Sequence, residues 1–343
     1  MKKLLLSVCL LGAMLIAFAQ KPYKVVFYNL ENLFDTINDP NKNDEEYLPE
    51  GARKWTTYRY NQKLANMSRV LFDIAAKDKN FPAVIGVSEI ENRLVLEDLL
   101  ATPKLAKTNY HIVHYDSPDR RGVDCAFFYR PDQFKLEGSE AHKVSFPGRP
   151  NFYTRDLVAM WGKIEGEPFY FIVSHWPSRL GGKERSQYSR DHVATQCKHI
   201  CDSVRKVNPS TKVVIMGDFN DDATDASVVE VLGAKRHIDK LGANDMFNPF
   251  NEMYRKGYGT LAYRDAWNLF DNIVVSENLA TGSTGALKLQ KYDKSKFYGN
   301  IFISPYMVQQ EGQYKNYPLR SFVGSNFQNG YSDHFPVYIY IGK

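Results

Sequence analysis

The feature of this sequence that most constrains its fold is a repeated junction between an apolar run and a polar cluster. Four short, mostly apolar runs stop at such a cluster, and they cover residues 23–28, 83–87, 169–173 and 212–216. Runs of this length and composition are typical of strands whose sheet is covered on both faces. The polar residues that follow would then lie where rigid strands end, which is where loops present reactive groups.

Further segments predict hairpins and helices around these strands. Residues 111–115 and 123–129 flank a turn-rich segment, and residues 157–164 and 169–173 flank residues 165–168, so each pair predicts a hairpin. Apolar residues at helical spacing predict two helices, one with Leu64, Met67, Leu71 and Ile74 and one with Val193, Cys197, Ile200, Val204 and Val207. This mixture favours an α/β fold in which two mixed sheets pack together with helices outside. No Gly-x-Gly-x-x-Gly follows a predicted strand, which argues against a Rossmann domain.

Composition excludes several classes of protein. The chain has 343 residues, of which 43% are hydrophobic and 24% charged, and these values exclude a disordered tail, a collagen-like repeat and a polytopic membrane protein. The net charge of +5 is too small to indicate nucleic-acid binding by itself. The aromatic fraction of 14% suits a strand-rich fold with aromatic-lined grooves.

The N-terminus has the pattern of a secretory signal peptide. Lys2 and Lys3 precede an uncharged run over residues 4–18, and small residues flank Phe18. The run is short for a bilayer span of ~20 residues, although a membrane anchor and a buried helix are the rival interpretations. We therefore expect cleavage near Ala19 and export to the periplasm, the cell surface or the medium. No stable membrane insertion is expected after cleavage.

Residues 20–343 are expected to form a single catalytic domain, because no repeat or linker divides them. Loss of residues 1–19 leaves 42 basic against 39 acidic residues, a net charge of +3. Three cysteines also remain: Cys125, Cys197 and Cys201. An odd number in an exported chain argues against a disulfide framework, so we interpret them as structural thiols.

The polar clusters bring together carboxylates, carboxamides and imidazoles. They contain Asn29, Glu31, Glu89, Glu91, His175, Asp218, Asn220, Asp271, Asp333 and His334. Each alone has an ordinary explanation: a turn that caps a helix for Asp-x-Asn, chance for Ser-Asp-His, and a core or surface residue for a lone histidine. Together they indicate a cation-binding site, because bringing carboxylates close together costs electrostatic free energy unless a cation neutralises their charge. Oxygen ligands favour Mg²⁺, Mn²⁺ or Ca²⁺ over structural Zn²⁺, and such a cation beside histidines suits phosphate-ester hydrolysis.

These clusters resemble the motifs of the endonuclease/exonuclease/phosphatase superfamily, which has the deoxyribonuclease I-like fold. In chain order the matching motifs are Tyr-Asn29-Leu-Glu31-Asn-Leu, Val-Ser-Glu89-Ile-Glu-Asn, Arg121-Gly-Val-Asp124, Ser-His175-Trp-Pro-Ser-Arg179, Gly-Asp218-Phe-Asn220, Trp-Asn-Leu-Phe-Asp271 and Ser-Asp333-His334-Phe-Pro-Val. The resemblance extends over about the whole chain after residue 19. It implies a four-layer αββα sandwich of two mixed β-sheets flanked by helices, with one active site at the edge of the two sheets.

The resemblance also implies which residues bind the metal and the substrate. Glu89 matches the principal metal ligand, and Glu31 and Asp333 match positions that complete the metal environment directly or through water. Glu91 is expected to be exposed or to lie behind the ligands. Arg121 and Arg179 lie in motifs beside the site, where they would bind substrate phosphate or remain solvated surface residues.

The catalytic roles implied by the resemblance fall on six residues. Asp218 would orient or deprotonate the attacking water, and Asn29 and Asn220 would hold the phosphate and neighbouring carboxylates. His334 would contact the scissile phosphate, with its tautomer fixed by Asp271. His175 would donate a proton to the leaving oxygen, and Asp124 is expected to be a polar lining residue.

The leading hypothesis for function is an exported, divalent-metal-dependent phosphodiesterase of the endonuclease type, with nucleic acid as its phosphate-ester substrate. The alternative is a phosphatase or phosphodiesterase acting on lipids, inositol phosphates or small organic phosphates. A third hypothesis is a non-catalytic binding protein on the same fold. The complete set of predicted catalytic residues argues against it. The sequence indicates no protein partner.

Overall fold

The computed structural model describes residues 21–292 and 294–343, so the predicted signal peptide lies outside the described residues. The strands are β1 (Tyr23–Leu33), β2 (Val84–Ile90), β3 (His111–His114), β4 (Asp124–Tyr129), β5 (Lys135–His142), β6 (Leu157–Ile164), β7 (Glu167–His175), β8 (Lys212–Asp218), β9 (Ala234–Lys235), β10 (Met246–Phe247), β11 (Leu261–Tyr263), β12 (Ala266–Asn268), β13 (Asp271–Ser276), β14 (Lys288–Gln290), β15 (Gly299–Ile301), β16 (Phe322–Val323), β17 (Asn326–Phe327) and β18 (Val337–Gly342). The α-helices are α1 (Thr57–Ala76), α2 (Arg93–Ala101), α3 (Lys183–Val207), α4 (Asn251–Arg255) and α5 (Glu277–Ala280).

Two large mixed sheets dominate the described residues. The first has the order β14-β18-β1-β2-β4-β3, with β15 also paired to β18, and the second has the order β5-β6-β7-β8-β13-β10-β9. Each sheet contains one central parallel pair, β1 with β2 and β7 with β8, and the strands flanking each pair run antiparallel. The sheets therefore confirm the predicted α/β class.

Three apolar layers separate the sheets and helices. The inner faces of the two sheets enclose a core that includes Phe27, Phe127, Phe171 and Met216. A second core joins the outer face of the first sheet to α1 and α2, and a third joins the outer face of the second sheet to α3. The order helix, sheet, sheet, helix is the predicted four-layer αββα sandwich.

The predicted strands and hairpins are present, with shifted ends. Strand β1 runs to Leu33 instead of ending at Tyr28, because residues beyond Asn29 continue to pair with β2 through an irregular register. Both predicted hairpins form, as β3 with β4 and β6 with β7. The turn of the second hairpin is shorter than predicted, since Pro168 already pairs with Lys163 in β6. Pairing of β7 with β8 begins only at Phe169. Pro168 lacks a backbone N–H, but it therefore costs no hydrogen bond between β7 and β8.

The predicted helical faces are buried, with one exception. Leu64, Met67, Leu71 and Ile74 of α1 pack in the core. Val207 was predicted to pack as well, but it is 88% exposed, because it is the last residue of α3 and lies beyond the helix residues that reach the core. Among the described helices, none is long and apolar enough to cross a bilayer.

The three described cysteines are buried and unpaired, in agreement with a structural role. Cys197 and Cys201 share the buried face of α3 and belong to the same core. Burial raises the pKa of the Cys201 thiol to about 11, which keeps it protonated and unreactive at neutral pH.

Gly217 is expected to be essential for stability, because β7 and β8 approach closely at this residue. A Cβ added here would lie 1.9 Å from the backbone oxygen of Ser174. Since backbone atoms in a paired strand cannot move aside freely, Gly217→Ala should lower the free energy of unfolding by about 2–4 kcal/mol, measured by urea denaturation. The matched control is Gly242→Ala, where the nearest atom is a carboxylate oxygen of Asp245 at 3.3 Å. Equal free energies of unfolding for the two variants would contradict this expectation.

Candidate active site

The second sheet places three predicted site residues side by side at one edge. His175 ends β7 and pairs with Asp218 at the end of β8, and Asp271 at the start of β13 pairs with Asp218 from the other side. Parallel strands present their carboxyl ends at the same edge, and an antiparallel neighbour begins there. The topology therefore explains why residues 175, 218 and 271, far apart in sequence, meet.

The first sheet reaches the same edge. Asn29 lies near the end of the β1–β2 parallel pairing, and the segment with His334 leads into β18, which pairs with β1. Ser332 Oγ donates a hydrogen bond to the backbone oxygen of Asn29 at 2.7 Å. Asn29 Nδ2 in turn donates to Asp218 Oδ2 at 3.1 Å, so this carboxamide joins the two sheets at the site.

Four non-glycine residues at this edge have left-handed backbone conformations. The φ values are 48° for Glu31, 54° for Asn32, 58° for Glu89 and 50° for Asn220. Such conformations are costly and persist only where the surroundings enforce them, which is common at functional sites. Glu89 lies where the pairing of β2 with β4 shifts register, so the backbone turn directs its side chain away from the regular alternation of the strand.

Asp218 is the most connected carboxylate of the site. Its Oδ1 accepts a hydrogen bond from the Asn220 backbone N–H at 2.9 Å, and its Oδ2 lies 3.5 Å from His175 Nε2 and 3.8 Å from His334 Nε2. Burial raises the pKa of Asp218 to about 7, against the opposing charge of His334. A carboxyl group with this pKa can accept a proton from water at neutral pH.

His334 and Asp271 form a buried pair. His334 Nδ1 donates to Asp271 Oδ2 at 2.8 Å, which fixes the tautomer and leaves Nε2 toward Asp218. Burial alone would lower the pKa of His334, but the carboxylates of Asp271, Asp218 and Asp333 outweigh it and raise the pKa well above its usual value. This direction of the pKa shift favours the charged form of His334 at neutral pH.

His175 has the opposite electrostatic environment. Burial, followed by the charges of Arg155, Arg121 and His334, lowers the pKa of His175 well below its usual value. The lowered pKa favours a neutral imidazole and so argues against the proton-donor role that the resemblance implied for His175, whereas the raised pKa of His334 favours its charged form.

One carboxylate oxygen of Glu89, Oε1, has no hydrogen bond to the nearby histidine His175. Its Oε2 accepts from the Asn32 backbone N–H at 3.0 Å, whereas its Oε1 lies 3.9 Å from His175 Nε2, too far for a hydrogen bond. Carboxylate oxygens are the ligands that Mg²⁺, Mn²⁺ and Ca²⁺ prefer, so the donor chemistry fits the predicted type of cation.

The other two predicted metal residues are held by basic side chains. Glu31 accepts from Arg320 Nε at 3.2 Å and from the Ser321 backbone N–H at 2.7 Å, and Lys63 Nζ lies 3.8 Å away. Arg320 also donates to Asp333 at 2.9 Å, so one guanidinium bridges the two carboxylates. Most of the carboxylate oxygens of Glu31 and Asp333 are therefore already hydrogen-bonded to protein groups. Their negative charge still lies close to Glu89.

Lys63 and Arg320 were missed in the sequence. Lys63 is 1% exposed, and burial lowers its pKa to about 8. Its position gave a signal, because Lys63 falls on the same α1 stripe as Met67, Val70 and Ile74, where a buried charge needs an acidic partner. Arg320 lies in an irregular segment and carried no comparable signal.

The two predicted phosphate-binding arginines have different environments. Arg121 is half-exposed at the mouth of the site, donates to Asn32 Oδ1 at 2.5 Å and lies 3.8 Å from Glu89 Oε2. Arg179 instead binds the loop after β8, donating to the Asn220 backbone oxygen at 2.8 Å and to Asp225 at 2.7 Å. It also contacts two further carboxylates, Asp221 and Asp222. Arg179 therefore positions Asn220, and its predicted contact with substrate stays a prediction.

Two further acidic residues have partners outside this centre. Glu91 is buried and accepts from the Asp35 backbone N–H at 2.7 Å, so it lies behind the ligands, one of the two predicted alternatives. Asp124 lies 3.0 Å from His114 Nε2. With Asp116 these residues place three donor atoms within 4.8 Å of one another, and no trio containing Glu89 is as compact among the described residues.

Comparison with known proteins decides the family. The model of the Endonuclease/Exonuclease/phosphatase family matches residues 24–343. The chain belongs to this family. It is therefore a phosphoester hydrolase of a group that uses divalent metals. No curated protein matches the sequence significantly.

Solved structures share the endonuclease/exonuclease/phosphatase fold at low sequence identity. TDP2 from D. rerio, complexed with a single strand DNA product, is 15% identical with a TM-score of 0.54, covering 94% of this chain and 100% of that one. A mannosyl-6-phosphatase from Bacteroides thetaiotaomicron is 15% identical with a TM-score of 0.52, covering 94% and 100%. An endonuclease/exonuclease/phosphatase family protein from the same organism is 15% identical with a TM-score of 0.54, covering 93% and 94%.

Proposed function

We propose that this chain is an exported, divalent-metal-dependent phosphodiesterase that cleaves nucleic acid as an endonuclease-type enzyme. The observation that carries the proposal is the buried Asp218 carboxylate, held by Asn29 and flanked at 3.5 and 3.8 Å by the Nε2 atoms of His175 and His334. Export rests on the signal-like pattern of residues 1–19 alone.

Glu89 would hold the cation, with Glu31 and Asp333 completing its surroundings directly or through water. A bound Mg²⁺, Mn²⁺ or Ca²⁺ ion supplies positive charge to a phosphoryl oxygen. Substrate phosphate would meet a second positive charge on Arg121, which is half-exposed beside Glu89.

Asp218 takes a proton from the attacking water, as its pKa of about 7 permits. Asn29 holds the carboxylate in place, and the Asn220 backbone N–H fixes its other oxygen. His334 presents a charged Nε2–H to the phosphate and gives its proton to the leaving oxygen, while the neutral His175 donates a hydrogen bond through Nε2.

Nucleic acid is favoured as substrate by two observations. TDP2 of D. rerio, which has this fold, is described in complex with a single strand DNA product. Arg53 and Arg59 also add positive charge on this side of the chain, each 4.9 Å from a ring, that of Phe322 and that of Phe327 respectively. Positive charge of this kind attracts the phosphates of a nucleic acid.

The second candidate function is a phosphatase or phosphodiesterase that acts on small organic phosphates, lipids or inositol phosphates. The similar fold of the mannosyl-6-phosphatase favours it, because a sugar phosphate needs the same metal and water chemistry.

A substrate panel separates the two candidates. The purified protein lacking residues 1–19 would be incubated with Mg²⁺, Mn²⁺ or Ca²⁺ and with plasmid DNA, RNA, inositol phosphates, sphingomyelin and mannose 6-phosphate. Cleavage of DNA or RNA is expected. Turnover of a small phosphate or lipid without cleavage of nucleic acid would replace the endonuclease proposal by the second candidate.

The metal role of Glu89 is tested against its neighbour Glu91. Glu89→Gln should raise the Mg²⁺ concentration needed for half-maximal activity by about 10-fold or more, because it removes a ligand charge. Glu91→Gln is the matched control, since this buried side chain binds the Asp35 backbone N–H, a bond that an amide oxygen can also accept. Titration of activity with Mg²⁺ measures both. A larger shift for Glu91→Gln would exchange the two assignments.

A further inference from the structure

A cavity of about 520 Å³ opens beside the candidate metal residues. Asp333 and Arg320 form the wall that it shares with the active site. Its remaining wall comes from the β11–β12 hairpin and from the irregular segment before β16, and it includes Tyr263, Arg264, Gln309, Gln313, Tyr314 and Tyr317. The volume is in the range of small-molecule sites in proteins.

The tyrosines of this cavity are exposed in a way that core packing does not require. Tyr263 is 62% exposed and Tyr314 is 47% exposed. The Arg264 guanidinium lies 5.2 Å from the Tyr263 ring, and the Tyr314 and Tyr317 rings are 5.5 Å apart. Aromatic faces left accessible beside a phosphate-binding centre are suited to stack on a planar ring.

The polar groups of the cavity favour a nucleobase over a sugar. Asp265 accepts the Tyr317 hydroxyl at 2.7 Å, and Asp333 accepts Arg320 at 2.9 Å, so each of the two carboxylates that could bind sugar hydroxyls already has one oxygen bound to the protein. The side-chain amides of Gln309 and Gln313 each offer a donor and an acceptor, which is what the edge of a base requires.

We propose that this cavity is a subsite for one nucleobase of the substrate, stacked on Tyr263 and Tyr314 beside the scissile phosphate. The proposal rests on the proposed nuclease function and extends it. It assigns base recognition to two segments that lie outside both large sheets. Binding by stacking would accept any base, with the glutamines adding preference among them.

The test compares a thymidylate oligomer with an abasic phosphodiester oligomer of equal length, using the protein lacking residues 1–19 with Mg²⁺. The wild type should cleave the thymidylate oligomer with the higher kcat/KM. Tyr263→Ala combined with Tyr314→Ala should lower the ratio of the two kcat/KM values by roughly 10- to 100-fold, the scale of losing one stacked base. Replacement of both by Phe, which keeps the rings, should restore the ratio.

Tyr188→Ala is the matched control, because this tyrosine is 52% exposed on α3 and does not line the cavity. Its ratio should equal that of the wild type. An unchanged ratio in the double alanine variant, or equal cleavage of both oligomers by the wild type, would overturn the subsite while leaving the nuclease function intact. Failure of the wild type to cleave either oligomer would overturn the nuclease function, and the subsite with it.

Discussion

Asp218→Asn is expected to lower the kcat for phosphodiester hydrolysis at least ~100-fold, the usual scale for a general base. The amide keeps the size of the side chain, and its single oxygen can still accept one of the two hydrogen bonds that Asp218 receives from Asn29 Nδ2 and the Asn220 backbone N–H. It cannot accept a proton from water. The loss should therefore appear in kcat, with the melting temperature close to that of the wild type, measured by steady-state kinetics and thermal unfolding.

The matched control is Asp202→Asn on α3, whose partner is Lys198 and whose side chain is 47% exposed. This variant should keep the wild-type kcat. Near-normal turnover by Asp218→Asn would mean that another group activates the water. The two histidines near Asp218 would then be the candidates to examine.

His334→Ala is expected to lower kcat by at least ~100-fold, because it removes the imidazole that we propose contacts the phosphate in its charged form. Asp271→Asn should give a different result that reveals how the pair works. The negative charge of Asp271 raises the pKa of His334, so its loss lowers that pKa, and His334 is then protonated only at lower pH. The alkaline limb of the pH–rate profile should therefore move to lower pH in Asp271→Asn.

The pH–rate profile distinguishes this role from a purely structural one. A loss of folding in Asp271→Asn would lower activity at every pH, whereas the proposed role lowers it most on the alkaline side. A profile with an unshifted alkaline limb, or one shifted to higher pH, would contradict the assignment of His334 as the charged group.

Much of the scaffold could be predicted because it depends on local patterns. Apolar runs that stop at polar clusters predicted the central strands, and the spacing of Leu64, Met67, Leu71 and Ile74 predicted α1. Strands β5, β13 and β18 were not predicted, and neither were the short strands β9 to β12 and β14 to β17. Strands of two or three residues contain too few side chains to show alternation, and long-range pairing decides whether they form.

The candidate site was predicted as a set of residues, and its charge states were not. The motifs named Asp218, Asp271 and His334, which the register of the strands then brings together. Whether a histidine is charged depends on every group around it, so the lowered pKa of His175 could not follow from its motif. The contact of Arg179 with the Asn220 backbone oxygen also depends on how the chain folds, so it could not follow from the motif that Arg179 shares with His175.

The central claim is that carboxylates and histidines at this sheet edge hydrolyse phosphate diesters with a divalent cation. The most direct test is the release of nitrophenol from bis-p-nitrophenyl phosphate by wild type and Asp218→Asn, first in EDTA and then after addition of Mg²⁺, Mn²⁺ or Ca²⁺. We expect turnover only with metal and only by the wild type. Equal turnover by the two proteins, or wild-type turnover that persists in EDTA, would contradict the claim.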